Sequence, residues 1–77
     1  MQRALLLINV ESGSEDEVLK KLKSFKGVEE TYVSYGVYDL IMKIKAETMN
    51  ELKELVIHKI RAIGKVQSTL TLMMVEQ

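Results

Sequence analysis

The chain has 77 residues, of which 47% are hydrophobic and 29% are charged, a balance typical of one globular domain rather than a disordered segment. Eleven basic and eleven acidic residues give a formal net charge of zero, so the basic excess with which nucleic-acid-binding domains contact phosphates is absent. The lack of cysteine excludes disulfides and thiolate metal sites, and the one histidine, His58, cannot form a metal site alone.

The first predicted element is a strand over Ala4–Val10, an apolar run of strand length. Ser14 and Glu17 have the spacing of a capping box, in which the serine hydroxyl accepts from the amide of Glu17 and the glutamate reaches back to the amide of Ser14. An amphipathic helix follows, and Gly27 is expected to end it. The apolar residues at helical spacing are Val18, Leu22 and Phe25.

Two strands are predicted next, over Val28–Tyr35 and Asp39–Ala46, with a tight reversal at Gly36 between them. In the first, alternation predicts that Glu29 and Glu30 point to opposite faces. In the second, alternation predicts one buried face and one face of mixed character. The buried face consists of Leu40, Met42 and Ile44, and the other face of Ile41, Lys43 and Lys45.

A second helix and a last strand complete the chain. Thr48 and Glu51 repeat the capping-box spacing, Gly64 is expected to end the helix, and Val66–Val75 is the predicted strand. The order βαββαβ predicts an α+β fold, the ferredoxin-like plait, whose antiparallel sheet carries both helices on one face. Residues 1–77 are therefore expected to form a single domain. The apolar stripe of the second helix is Met49, Leu52, Val56, Ile60 and Ile63.

The sheet face opposite the helices is expected to be apolar. The first and last strands carry hydrophobic residues on both faces, and two helices can cover only one of them. Either helix ends or the tail cover the other face within one chain, or two chains pack sheet to sheet. The second solution is favoured, because no segment is left over to cover the face and because small domains often need a partner subunit.

No catalytic arrangement is visible, so the sequence predicts a protein that is not an enzyme and needs no cofactor. A nucleophile needs a base beside it, and His58 is expected to be a partly exposed helix residue. Carboxylates on opposite faces cannot act as an acid and base pair. The absence of a signal peptide and of an apolar run of about 20 residues predicts a soluble cytoplasmic protein.

Two polar segments are candidates for a ligand site. Gly36 permits a left-handed turn and a close approach to a bound group, Tyr38 offers a ring and a hydroxyl, and Asp39 could accept the ammonium of an amino acid. Ser68 and Thr69 could bind a carboxylate. The structural alternatives are that the glycine only makes a turn, the aspartate only satisfies loop amides, and the hydroxyl residues only favour strand.

The two segments together resemble a known family. Gly36-Val37-Tyr38-Asp39 looks like the Gly-x-Tyr-Asp signature of the effector domain in the leucine-responsive/asparagine regulators (Lrp/AsnC), and Ile60-x-x-Ile63-Gly64-x-Val66-x-x-Thr69-x-Thr71 looks like that family's pattern entering its last strand. The similarity spans essentially the whole chain. It implies a stand-alone ligand-binding domain of the type called RAM, for regulation of amino-acid metabolism.

The resemblance implies a small-molecule amino-acid effector bound at the junction between sheet-to-sheet dimers, and a homo-oligomer in which dimers associate into an octameric ring. It also implies that the chain has no DNA-binding domain and no direct contact with nucleic acid or membrane, and that a full-length regulator is a possible partner. The ligand-binding residues carried over, with neighbours of the motifs included, are Tyr35, Gly36, Tyr38, Asp39, Ser68 and Thr69.

Three other interpretations stay open. An ACT domain is another amino-acid-binding plait of similar size, although such domains usually pair side by side. A small dimeric α+β barrel enzyme also packs sheet on sheet, but it needs a polar cleft, for which only Asp39, Lys43 and Lys45 qualify. A purely structural subunit that co-assembles with a full-length regulator would leave the pocket empty.

Overall fold

The computed structural model describes residues 1–75 and confirms the predicted α+β fold and the order βαββαβ. The elements are β1 (Gln2–Val10), α1 (Glu15–Lys23), β2 (Val28–Val33), β3 (Leu40–Ala46), α2 (Met49–Glu54) with its π-helical continuation (Leu55–Ile60), and β4 (Val66–Met74). The strands form one antiparallel sheet in the order β2-β3-β1-β4. Within residues 1–75, no helix is long and apolar enough to span a bilayer.

The core lies between the helices and one face of the sheet. Alternate residues of β1 and β3 are buried there, as the alternation in β3 predicts, and they form one cluster with apolar residues of both helical segments. Phe25 lies beyond the end of α1 and packs against the cluster partly buried, whereas Met49 is 38% exposed and outside the cluster. The strand residues of the core are Ala4, Leu6, Ile8, Val10, Leu40, Met42 and Ile44.

The predicted capping box at the start of α1 is wrong. Ser14 is the N-cap residue, but its side chain makes no capping hydrogen bond to the helix. Its hydroxyl instead donates to the backbone carbonyl of Glu11, and its backbone amide donates to the same carbonyl at 3.0 Å. A turn with positive φ at Gly13 folds the chain back in this way, and the hydroxyl is then no longer available to Glu17.

Gly27 does not end α1, which stops earlier at Lys23. Its φ of +101° is in the left-handed region, and a Cβ there would lie 2.7 Å from the carbonyl oxygen of Lys45. The carbonyl of Gly27 accepts a hydrogen bond of 2.7 Å from the amide of Lys45. This glycine therefore lets the chain enter β2 in close contact with β3.

A bulge in β2 corrects the prediction that Glu29 and Glu30 point to opposite faces. Val28 pairs with Ile44, and the next paired residue, Glu30, is opposite Lys43, so Glu29 is an extra residue. The bulge resets the alternation, and both carboxylates reach cations of the same sheet face. Glu29 lies 3.9 Å from the Lys45 ammonium, and Glu30 lies 3.7 Å from the Lys43 ammonium.

The second helix begins as predicted but ends differently. The Thr48 hydroxyl accepts from the amide of Glu51 at 3.2 Å, while the Glu51 carboxylate accepts from the amide of Glu47 rather than that of Thr48. The π-helical continuation, ending at Ile60, was not predicted. Gly64 lies beyond this end without a positive φ, so it is not a left-handed cap.

The sheet face opposite the helices, here called the open face, is not covered by them. In register across all four strands it carries an apolar row formed by Tyr32, Ile41, Leu7 and Leu70. The next row includes Leu5 opposite Leu72. Leu70 and Leu72 are 41% and 46% exposed, which leaves contiguous apolar surface in contact with solvent.

Candidate functional site

A row of polar residues crosses the end of the open face. Asp39 precedes β3, Asn9 lies near the end of β1, and Ser68 lies opposite Asn9 near the start of β4. The amide of Asp39 donates to the side-chain oxygen of Asn9 at 3.1 Å, and the Asn9 side-chain nitrogen donates to the Ser68 hydroxyl at 3.4 Å. We call Asp39, Asn9 and Ser68 the polar row. It joins two of the predicted site residues through a third residue that sequence reasoning missed.

The carboxylate of Asp39 has one structural contact. Its Oδ2 accepts a hydrogen bond of 2.9 Å from the backbone amide of Val10, at the irregularity where the register of β1 and β4 shifts. Among residues 1–75 its Oδ1 has no hydrogen-bond partner. The aspartate thus does satisfy a backbone amide, and it keeps one oxygen for another group.

The hairpin between β2 and β3 corrects the prediction for Gly36. This glycine has no positive φ, and an added Cβ would meet nothing within 4 Å, so neither a left-handed turn nor a close approach within the chain requires it. Tyr35 beside it is 97% exposed, and Tyr38 is half-buried. The hairpin therefore presents Tyr35 and Gly36 to solvent rather than to the polar row.

Thr69 does not join the polar row. It lies opposite Ile8 in the register of β1 and β4, and Ile8 is buried under the helices. Ser68 and Thr69 therefore belong to opposite faces of the edge strand β4. Both nevertheless line a shallow cleft of about 360 Å³ where the second helix leads into β4. The lining residues are Arg61, Val66, Gln67, Ser68 and Thr69.

Asn9 and Arg61 are the two site residues that sequence reasoning missed. A signal existed for Asn9, because it is the one polar side chain in the apolar run Ala4–Val10. No comparable signal exists for Arg61, which looks in the sequence like any cation after a helix. Its position against β4 depends on where the π-helical segment ends.

A second cleft, of about 490 Å³, lies between the start of α2 and Gly27, where the chain enters β2. Its lining mixes both signs of charge, since three lysines and three glutamates contribute to it. This mixture gives no preference for a cation or an anion. The charged residues are Lys26, Lys45, Lys59, Glu47, Glu51 and Glu54.

The end of the open face away from the polar row is charged. Arg3 lies 3.4 Å from Glu29. Glu29 and Glu30, which the bulge places on this face, each also lie near a lysine. The hydroxyl of Tyr32 donates to Glu30 at 3.1 Å. This hydrogen bond, together with the negative charge of Glu30, raises the pKa of Tyr32 above its ordinary value.

The residues to consider for catalysis or metal binding are the histidine and the open-face carboxylates. Because the bulge places Glu29 and Glu30 on one sheet face, opposite orientation no longer excludes them as an acid and base pair. His58 is exposed on the helix as predicted, with its Nε2 3.8 Å from Glu54 Oε1. Among residues 1–75, no cluster of three or more histidine and acidic side chains could hold a metal ion. The open-face lysines Lys43 and Lys45 lie 3.7 and 3.9 Å from the carboxylates of Glu30 and Glu29.

Comparisons with family models, with curated proteins and with solved structures all identify the same family. The model described as the Lrp/AsnC ligand binding domain matches residues 3–77. The regulatory protein AsnC of Haemophilus influenzae is 40% identical over 57 residues, covering 74% of this chain but only 38% of that protein. The structure called FFRP-DM1 superposes with a TM-score of 0.95 at 37% identity, covering 97% of this chain and 100% of that chain. The structure of Escherichia coli AsnC superposes with a TM-score of 0.92 at 28% identity, covering 99% of this chain and 52% of that one.

Proposed function

Because the chain belongs to the Lrp/AsnC family of ligand-binding domains, we propose that it is an amino-acid-binding module whose polar row holds the amino-acid head group. The α-ammonium binds the available oxygen of Asp39, and the α-carboxylate accepts from the hydroxyl of Ser68. The ligand atoms between the ammonium and the carboxylate lie over Asn9. The chain corresponds to less than half of the curated regulator, so DNA binding by such regulators is not assigned to it.

The observation that carries the proposal is the spacing of the polar row. Its two ends belong to strands separated by β1, so their backbones lie about 10 Å apart. An α-amino acid head group spans about 3 Å from nitrogen to carboxylate oxygen, and a hydrogen bond of about 2.9 Å at each end brings the total to about 9 Å. The separation of the two strands is thus comparable to the distance between the Asp39 and Ser68 oxygens that one head group would require.

The hydrogen-bond directions fit the same ligand. The Ser68 oxygen accepts from Asn9, so its own O–H remains to donate to a carboxylate. Asp39 contributes a negative charge at the other end, with one oxygen fixed by Val10. A charge-assisted hydrogen bond to the ammonium is stronger than a neutral one, so Asp39 is expected to contribute most to affinity.

The open face supports self-association of the module. Two chains that pack face to face would bury the apolar row and the exposed leucines of β4. The polar row lies at the end of the open face, beyond the apolar row, and Asp39 is at the base of the exposed hairpin that carries Tyr35. A neighbouring dimer that contacts this hairpin would place the effector near the junction between dimers, in a ring such as an octamer. A ligand that favours one assembly can act only through its higher affinity for that assembly. A full-length regulator of the family with the same face could co-assemble in place of a second copy.

A thermal-shift scan with each of the twenty amino acids tests the proposal, using Asp39→Asn as the site variant. Asparagine keeps an acceptor for the Val10 amide and removes only the charge, so the fold should be retained. A ligand at a hundred times its dissociation constant stabilises by about 2.7 kcal/mol. The matched control is Asp16→Asn, the same change at an exposed position of α1.

We expect wild type and Asp16→Asn to respond to the same few amino acids and Asp39→Asn to respond to none. No response of the wild type to any of the twenty would contradict amino-acid binding and leave a structural subunit as the better interpretation. A response of Asp39→Asn equal to that of wild type would remove Asp39 from the site.

A further inference from the structure

One residue that lines the cleft at the start of β4 is charged and has no role in the proposed head-group site. Arg61 is the only charged residue among those of the described chain that line this cleft. The other lining side chains are neutral, and three of them carry hydrogen-bonding groups: Gln67, Ser68 and Thr69. A cleft with one cation and several donors is suited to an anion.

The surroundings of Arg61 leave its charge without compensation. Lys65, a little further along the chain, lies 3.7 Å from Glu11, and Arg3 lies beside Glu29. Within residues 1–75, Arg61 has no carboxylate within ion-pair distance. Its backbone is fixed, because its amide donates to the carbonyl of Val56 at 2.9 Å as the π-helical segment ends. The guanidinium is thus attached to a defined point of the fold beside β4.

We propose that Arg61 binds the carboxylate of the amino acid together with Ser68. This inference rests on the proposed function and names the residue that makes the site selective for the acid form of the ligand. Ser68 is the link, because it ends the polar row and also lines the Arg61 cleft. A carboxylate held by the serine hydroxyl would therefore lie beside a cleft whose lining includes Arg61.

The chemistry of arginine suits this role better than that of lysine. Its planar guanidinium presents parallel N–H donors that match both oxygens of a carboxylate, whereas an ammonium is a point charge. A substitution that removes a hydrogen bond between the protein and a charged group of the ligand lowers the affinity by roughly 10- to 100-fold. The alternative role for Arg61 is stabilisation of the helix C-terminus, which would affect the fold and not the ligand.

The test compares Arg61→Gln with wild type against the twenty amino acids and the α-amide of each, by titration calorimetry. An α-amide keeps the ammonium and lacks the carboxylate. In wild type, we expect any amino acid that binds to do so 10- to 100-fold more tightly than its amide. In Arg61→Gln, the acid should bind as weakly as the amide does, and Arg61→Lys should recover only part of the difference.

Lys53→Gln is the matched control, since it removes one exposed positive charge from the same helix outside this cleft. It should leave both affinities unchanged. If Arg61→Gln still prefers the acid over the amide as strongly as wild type does, the role of Arg61 is wrong while amino-acid binding stands. If wild type binds no amino acid, the proposed function fails and this inference fails with it. A lower melting temperature of Arg61→Gln with an unchanged preference would assign the residue to the helix end.

Discussion

The side-chain oxygen of Asn9 accepts a hydrogen bond from the backbone amide of Asp39, and the two atoms lie 3.1 Å apart. The same side chain donates to Ser68, so one amide in an otherwise apolar strand joins the two proposed ends of the ligand site. Both hydrogen bonds require β1 to lie between β3 and β4 in the sheet. The site is therefore a product of the strand order rather than of any single sequence motif.

Asn9→Ala should weaken amino-acid binding and slightly destabilise the fold. The Asp39 amide also bonds the carbonyl of Ile8 at 3.0 Å, so it keeps one partner, and the loss of stability should be about 1 kcal/mol. Binding should fall further than stability, because the Ser68 hydroxyl loses its orientation. Calorimetric titration and chemical denaturation measure the two effects, with Asn50→Ala on the exposed side of α2 as control. Unchanged affinity in Asn9→Ala would show that the polar row is not the site.

If two chains pack through the open face as proposed, Leu70→Lys should yield a monomer. Leu70 lies in the apolar row of the open face, and a buried unpaired ammonium at a face-to-face contact is costly. Thr71→Lys is the control on the same strand, because Thr71 is exposed and lies on the other face, opposite Leu6. Light scattering should give a smaller mass for Leu70→Lys only. Equal masses for both variants would mean that the open face is not the contact.

Gly27→Ala and Gly36→Ala should differ sharply in stability. At Gly27 the alanine would need a left-handed backbone and would place its Cβ 2.7 Å from the Lys45 carbonyl oxygen, so a loss of at least about 2 kcal/mol is expected. At Gly36 the space is open and φ is not positive, and the substitution should be neutral or stabilising by up to about 1 kcal/mol. Urea denaturation of both variants checks this. A loss of assembly in a stable Gly36→Ala would identify the hairpin as a contact between dimers.

Glu30→Gln should lower the pKa of Tyr32. The Glu30 carboxylate raises this pKa by accepting the phenol hydrogen bond and by its negative charge. Because the folded-state pKa is raised, the associated stabilisation is present below the ordinary tyrosine value of about 10 and is lost as pH rises through the raised value. Ultraviolet titration of wild type and variant, with Tyr32→Phe to assign the signal, measures the shift. Glu29→Gln should leave the pKa of Tyr32 raised. A lowered pKa of Tyr32 in Glu29→Gln would show that Glu29, and not Glu30 alone, causes the shift.

The sequence predicted those features whose cause is local. The alternation in β3 gave its buried face correctly, because burial on one side of a sheet imposes a period of two. The cap at Thr48 formed between residues that are close in the chain. The equally local capping box at Ser14 is an exception, because the Ser14 hydroxyl donates to the Glu11 carbonyl instead. The fold class followed from the order of such elements.

Features that depend on contacts between distant segments could not be predicted. The bulge at Glu29 is an irregularity in the pairing of β2 with β3, and nothing in its own sequence requires it. Gly27 has a positive φ and lies against the Lys45 backbone of β3, whereas Gly36 and Gly64, which were also expected at turns, have no positive φ. Arg61 follows the π-helical segment, whose hydrogen bonds between residues five apart widen each turn and so change the side on which the helix ends.

Sedimentation velocity of wild type and Asp39→Asn, each with and without the amino acid that gives the largest thermal shift in wild type, tests whether the ligand acts on assembly. A saturating amino acid is expected to redistribute wild type between assemblies and to leave Asp39→Asn unchanged. The same distribution in all four samples would contradict the claim that this module senses an amino acid through its assembly.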